Sequence, residues 1–243
     1  MEAGQDVIGT KTAAITSSCS CCGHADLRLR RVLWPALIQE WELAPAEAAY
    51  IDRQQGLMCA RCGSNLRTMA LAHALLTHFD YAGVFSDFVA SPAAASLAVL
   101  EVNEAGMLTK FLKRLPRHTL IRYPESDMTK LTFADRSFDV VVHSDTLEHV
   151  PDPIAGLREC RRVLQARGIC AYTVPIVVDR LTRSRKGLPP SYHGTPANPG
   201  DHLVHTEYGA DAWKDPLLAG FAECRIIARE YPAGQALVAV RRD

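Results

Sequence analysis

The sequence predicts an α/β protein. It should fold as a Rossmann-like, doubly wound, mostly parallel sheet with a C-terminal antiparallel hairpin, preceded by a small cysteine-stapled helical module. Three observations carry this expectation. From Leu97 onward, short apolar runs alternate with helical patterns, as in chains that wind helices over a parallel sheet. The last two apolar runs, "CRIIAREY" and "ALVAVRR", flank "PAGQ" and read as a hairpin. Two C-x-x-C-G motifs stand in the first quarter of the chain.

The elements follow in order. "LAVLEV" is a short continuous strand, "MLTKFLKRL" a helix and "HTLIRY" a second strand. "FDVVVHS" is dense in valine and does not alternate, as a central strand buried on both faces requires. "DPIAGLRECRRVLQARG" is a helix, with Asp152 as its cap, Pro153 in its first turn and Gly168 as its terminator. "ICAYTVPIV" is the next strand. Ligands of such sheets bind at the carboxyl ends of the strands. That places Glu101, Glu125, Asp127, His143, Ser144, Asp145 and Pro175 in the informative positions.

In the first third, Cys19/Cys22 and Cys59/Cys62 form the two knuckles. Two intervening residues let both thiolates face one ion, and four thiolates make a closed tetrahedral zinc site with no open position, hence a structural one. Cys21 is an alternative to Cys19 as ligand. "APAEAAYIDRQQG" is helical from Pro45. Ser64 is a candidate cap for "NLRTMALAHALLTHF", whose Leu71, Leu75 and Phe79 form an apolar stripe. The domain division expected is a zinc-binding helical module over 1–90 and a sheet domain over 91–243, with an insertion around 178–207. Cys160, Cys170 and Cys224 lie among apolar neighbours and read as small buried hydrophobes.

The chain has 243 residues and equal numbers, 27 each, of acidic and basic side chains. Zero formal charge argues against general affinity for nucleic acid or an anionic membrane. No apolar run approaches the roughly 20 residues of a membrane span. The start, "MEAGQDVIGTKT", lacks a basic region followed by an apolar stretch, so no signal peptide is expected. Eight cysteines in a protein expected in the cytoplasm point to metal binding before disulfides.

The run "FADRSFDVVVHSDTLEHVPDPIAGLRECRRVLQARG" resembles the central part of class I S-adenosylmethionine-dependent methyltransferases, with their F-D-V-V strand, L-E-H-V-P-D-P segment and helix closing on R-V-L. Cysteine module and sheet domain together look like a bacterial subgroup. The family loop, E/D-x-G-x-G-x-G, is here Glu101, Asn103, Ala105 and Gly106, one residue short. Asn tolerates the left-handed region best after glycine, so Asn103 is expected to keep the turn. The resemblance implies S-adenosyl-L-methionine as cofactor. It places Glu101, Asn103, Ala105 and Gly106 at the methionine and ribose side, with Glu125 on the ribose. Asp127 would meet the adenine amine, Met128 would pack on the ring, and His143 would sit beside them. The short segment before "FDVVV" implies that one strand and helix usual in the family are missing.

Methyl transfer needs alignment of nucleophile, methyl and sulfur, and often a base. His143, Asp145 and His149 are candidate bases. Asp145, Glu148 and His149, at i, i+3 and i+4, could also share a helical face and hold Mg2+; the third reading is that they only cap and orient. The insertion should roof the site as a lid, with His193 or His205 as base. Its Arg180, Arg183, Arg185 and Lys186 suit a carboxylate or phosphate, or form a solvated face. Trp213 and Tyr208 are expected in the core. The function expected is O-methylation of a small polar acceptor, with a saccharide or anionic metabolite as candidates. The alternatives are a non-catalytic scaffold whose zinc unit meets a protein partner, and methylation of a nucleic acid or protein.

Overall fold

The structure is a computed structural model and describes residues 18–192 and 203–243. The strands are β1 (Leu27–Leu29), β2 (Leu57–Cys59), β3 (Val99–Val102), β4 (His118–Ile121), β5 (Phe138–Ser144), β6 (Leu164–Thr173), β7 (Ile176–Val177), β8 (Arg183–Ser184), β9 (Thr206–Gly209), β10 (Glu223–Glu230) and β11 (Gly234–Val240). The helices are α1 (Pro35–Glu40), α2 (Pro45–Gly56), α3 (Leu66–His78), α4 (Phe85–Phe88), α5 (Pro92–Ala95), α6 (Thr109–Leu112), α7 (Pro153–Val163) and α8 (Lys214–Leu218), with single 3-10 turns at Gly106–Leu108 and Leu147–His149.

The main sheet has the order β10-β11-β6-β5-β3-β4. Strands β4, β3, β5 and β6 run parallel, and β11 is antiparallel to both β6 and β10. The hairpin is where the sequence puts it. β11 is the inner, fully buried member, and β10 forms the edge. Between β4 and β5 there is no further strand or helix among the described residues, in line with the short segment there.

Two apolar layers cover the sheet. On one face α7 buries Leu157, Cys160 and Val163 against Leu100, Val141 and Tyr172. Asp152 caps α7 by accepting from Ala155 N at 2.9 Å. Gly168 does not end this helix, which stops at Val163. It lies inside β6, where an added Cβ would stand 2.9 Å from Gln165 O and 3.0 Å from Asp139 O; close backbone approach is its role. On the other face α3 lays Met69, Leu71 and Leu75 into the same core as Val142, Ala171 and Val238. Its Ala70, Ala72 and Ala74 are fully buried and let the backbone come near its neighbours. The cap of α3 is Asn65, whose Oδ1 accepts from Thr68 N at 2.9 Å. Ser64 instead places its hydroxyl 3.2 Å from Cys62 Sγ. The core is therefore continuous across residue 90, with the cysteines of the knuckles part of it.

The insertion builds a small sheet of its own, in the order β7-β9-β8. It is joined to the N-terminal helices. Val177 packs on Leu43 and Ile51. Val178 N donates to Tyr50 Oη at 3.0 Å, and Trp41 Nε1 donates to Ser191 Oγ at 2.9 Å. Tyr208 is buried as expected, whereas Trp213 is 39% exposed at the start of α8. Its ring lies near the Lys214 ammonium at the surface, and the core is filled by Tyr208 and Phe221.

Candidate functional site: the carboxyl ends of β3 and β5

The cysteine knuckles close first. The Sγ atoms of Cys19, Cys22, Cys59 and Cys62 all lie within 4.8 Å of one another. Cys21 turns away and directs its thiol toward Thr68 O at 3.9 Å, so Cys19 is the member of the set. Gly23 and Gly63, both left-handed, close the two turns with N–H bonds to Cys19 O and Cys59 O. The Lys110 ammonium, on α6, meets Cys62 O. This ties the knuckle to the helix that follows the β3 turn. Burial pushes the Cys22 thiol up to about 12, whereas at Cys62 burial is outweighed by hydrogen bonds, led by Ser64, that lower it to about 7.

The turn after β3 keeps its shape with few glycines. Asn103 has φ +54° and Gly106 φ +56°, the two left-handed positions the turn requires. Asn103 also accepts from Tyr123 N through Oδ1 at 3.0 Å, which links it to the chain beyond β4. Glu101 is wholly buried. One oxygen accepts from Ala105 N at 2.8 Å and Thr109 Oγ1 at 2.5 Å, and the other meets His118 Nε2 at 2.8 Å. Glu101 thus braces the turn from beneath. Ala105 is buried as well, while Gly106 is exposed beside Thr68 of α3. A Cβ on Gly106 would come within 3.1 Å of Thr68 Oγ1.

The other expected cofactor residues are scattered. Glu125 and Asp127 are exposed. Asp127 Oδ1 accepts from Thr129 N and Thr129 Oγ1, both at 2.8 Å. Met128 is buried against Gly156 of α7, in the core layer. His143 lies beneath the site. It is fully buried, stacks on Tyr172 with centroids 4.6 Å apart, and burial lowers it to about 3. A ring so enclosed and so weakly basic is a core residue, not a base.

Asp145 follows β5 in the left-handed region, at φ +47°. The expected helical face of Asp145, Glu148 and His149 is replaced by this kink and the 3-10 turn Leu147–His149. Asp145 forms an ion pair with Arg67 of α3. His149 Nδ1 bonds Leu203 O at 3.0 Å. Among the described residues only the four cysteines converge as a metal set, so nothing supports Mg2+ at this triad. His193 lies outside the described residues. His205 is half-buried and links Glu148 to the insertion through its backbone, its N–H donating to Glu148 O at 2.8 Å.

Beside this point lies a narrow cleft of about 20 Å³. Trp41, Pro175, Val177, Val204 and Tyr208 give it apolar walls, and Glu148 lies against it. Burial, with Asp145 near enough to add its charge, pushes the Glu148 carboxyl well above the usual carboxylate range. Three arginines of the insertion's basic cluster pair with carboxylates, while Arg183 and Lys186 lie at the surface. Arg180 clasps Glu47, and Arg183 and Arg185 both pair with Glu207. Trp41 and Glu148 as cleft residues were not legible beforehand. Only the run "TLEHVPDP" marked the place of Glu148.

A strand order of this kind, with a turn and acid at the end of β3, defines a Rossmann-like methyltransferase architecture. Residues 82–172 match the family described as "Methyltransferase domain", and the chain is similar there to S-adenosylmethionine-dependent methyltransferases. Similar curated proteins include a demethylmenaquinone methyltransferase of Mycobacterium sp. (strain KMS), 35% identical over 37% of this chain and 41% of that one. Another is a probable S-adenosylmethionine-dependent methyltransferase of Mycobacterium tuberculosis, 34% identical over 44% of this chain and 36% of its own length. The chain thus spans about two fifths of the length of the curated relatives it matches. A solved S-adenosylmethionine-dependent methyltransferase from Mesorhizobium loti shares 14% identity over 65% of this chain and 95% of its own, with a TM-score of 0.40, a loose likeness.

Proposed function

We propose that this chain transfers a methyl group from S-adenosylmethionine to a hydroxyl of a small acceptor held in the Trp41–Tyr208 cleft. The observation that carries this reading is the β3 turn. Its sequence has lost glycines, yet the two left-handed positions persist at Asn103 and Gly106, level with the carboxyl end of β5 inside the matched segment. The backbone shape of the cofactor turn is thus kept by the residue that tolerates it best after glycine.

The bound cofactor supplies an activated methyl on a sulfonium. The chain's own residues position the acceptor and take its proton. Glu148 is the base we assign, because it lies against the cleft beside the strand ends. The apolar walls exclude water and favour an acceptor with a ring or aliphatic body. With Arg180, Arg183 and Arg185 engaged, an anionic acceptor loses its recognition element, and a neutral hydroxyl compound remains. The four cysteines hold a structural zinc ion that fixes the start of α3. Calorimetry with S-adenosylhomocysteine tests the cofactor half: micromolar binding is expected, and no heat at millimolar ligand leaves only the scaffold reading. For the acceptor half, Glu148→Gln should lower turnover about 100-fold or more on a found acceptor, with the S-adenosylhomocysteine affinity retained.

The scaffold reading is favoured by one feature, the Arg67–Asp145 pair lying across the strand ends where a cofactor must enter.

A further inference from the structure

That same pair has the chemistry of a receptor. Arg67 belongs to the first turn of α3, one residue before Thr68, which touches the Gly106 position. Its guanidinium is only 12% exposed and reaches Asp145 through Nη1, while its buried Nε has no hydrogen-bond partner. Register sets Val102 of β3 beside His143 of β5, so Asp145, two residues on, stands level with Glu104 in the turn that Asn103 opens. The pair therefore spans the carboxyl ends of both strands, one charge of each sign, in a half-buried place with a spare donor.

An amino acid end carries a carboxylate and an ammonium next to each other. Of the candidate cofactor's parts, only this end is a zwitterion. Building on the cofactor reading above, we infer that Arg67 anchors the carboxylate of the cofactor's amino acid end, with Asp145 positioning the guanidinium and facing the ammonium. The shortened glycine loop offers fewer open backbone donors than its relatives' loop, and a side chain from the zinc module supplies the missing recognition. A planar guanidinium suits this because it can bond a carboxylate through two parallel N–H groups while keeping a third for Asp145.

The test separates the two ends of the ligand. S-adenosylhomocysteine and 5′-methylthioadenosine, which lacks the amino acid end, are titrated calorimetrically into the full chain and into Arg67→Met. For the variant, affinity for S-adenosylhomocysteine should fall about 10- to 100-fold, while affinity for methylthioadenosine stays within about twofold. Arg67→Lys should recover part of the loss. Unchanged S-adenosylhomocysteine binding in Arg67→Met overturns the inference. So does an equal fall for both ligands, which would make the pair a structural latch. Should Arg67→Met not fold, the unaltered protein decides with decarboxylated S-adenosylhomocysteine: equal affinity for it and the intact compound excludes a guanidinium on the carboxylate. If the unaltered chain binds S-adenosylhomocysteine no better than methylthioadenosine, the cofactor reading stands and the anchor falls. If it binds neither, both fall.

Discussion

Two arginines fasten the N-terminal module to the strand ends, and they do it differently. Arg180 has four of its five N–H donors engaged. Its Nε and Nη2 clasp Glu47 at 3.0 and 2.7 Å, and Nη1 and Nη2 reach Trp41 O and Glu42 O at 2.9 and 2.6 Å. Arg67 has one carboxylate partner and a buried donor to spare. A guanidinium with nearly every donor used on the protein itself holds things together. One with a donor left over in a half-buried place is either poorly satisfied or waiting for a ligand. The seam at Arg180 thus reads as glue, and the seam at Arg67 as a site.

The largest effect should come from the element beneath both seams. α3 begins four residues after Cys62, so the first turn that carries Arg67 is held by the knuckle. Zinc sites of this type contribute on the order of 10 kcal/mol where they have been measured in isolated fingers. Stripping the metal with a strong chelator, or Cys62→Ser, should lower Tm by more than about 10 °C and abolish S-adenosylhomocysteine binding. Differential scanning calorimetry with metal analysis checks this. A chain that is metal-free as isolated and melts cooperatively at an unchanged temperature would refute the zinc assignment.

A smaller effect should separate the two seams. Glu47 is nearly buried, holds Arg180, and accepts from Ala44 N at 2.8 Å at the start of α2. Glu47→Ala removes the partner of Arg180 and a helix cap together. Because Arg180 is itself about a third exposed, water screens part of the loss, and about 2 to 3 kcal/mol is expected. In a chain of this size that is a Tm drop of roughly 5 to 10 °C. Affinity for S-adenosylhomocysteine should hardly move. If it falls as far as in Arg67→Met, the distinction between glue and site is lost.

The same contrast shows what the sequence discloses. The knuckles are local, two cysteines and a glycine in five residues, so spacing alone revealed them; only the choice of Cys19 over Cys21 awaited the fold, which sends Cys21 into the core beside Thr68. Strands β3, β5 and β11 were legible because burial on both faces leaves unbroken apolar runs. Asn103 was legible as a left-handed residue because backbone preference is a one-residue property. The pairings Arg67–Asp145 and Arg180–Glu47 were not, since each joins residues far apart in sequence and charge alone names no partner. The basic cluster of the insertion misled for that reason: its charges are met by Glu47 and Glu207, which nothing in the sequence places beside it. His143 misled in another way. The end of a central strand is where catalytic residues stand, but strand alternation turns this ring inward, on to Tyr172.

His143 gives the last and most easily isolated prediction. Burial lowers its folded-state pKa to about 3, while the unfolded chain titrates near the ordinary histidine value of about 6.5. Between those values the unfolded state binds the proton and the folded state does not. Stability is therefore complete above about pH 6.5 and is lost progressively as pH falls toward 3. The full loss from this one ring is of the order of 4 kcal/mol. Asp145 and Glu148 titrate in the opposite sense, since burial raises both, so the raw acid profile of the protein is a sum. The difference between the unaltered chain and His143→Phe removes the shared groups and keeps the aromatic stack on Tyr172. In denaturant unfolding that difference should be flat from pH 7 to 8 and shift steadily in favour of the variant below pH 6. A difference independent of pH down to 4 would mean that the ring is solvated and protonates in place, and that the strand end of β5 is open to water where it is described here as core.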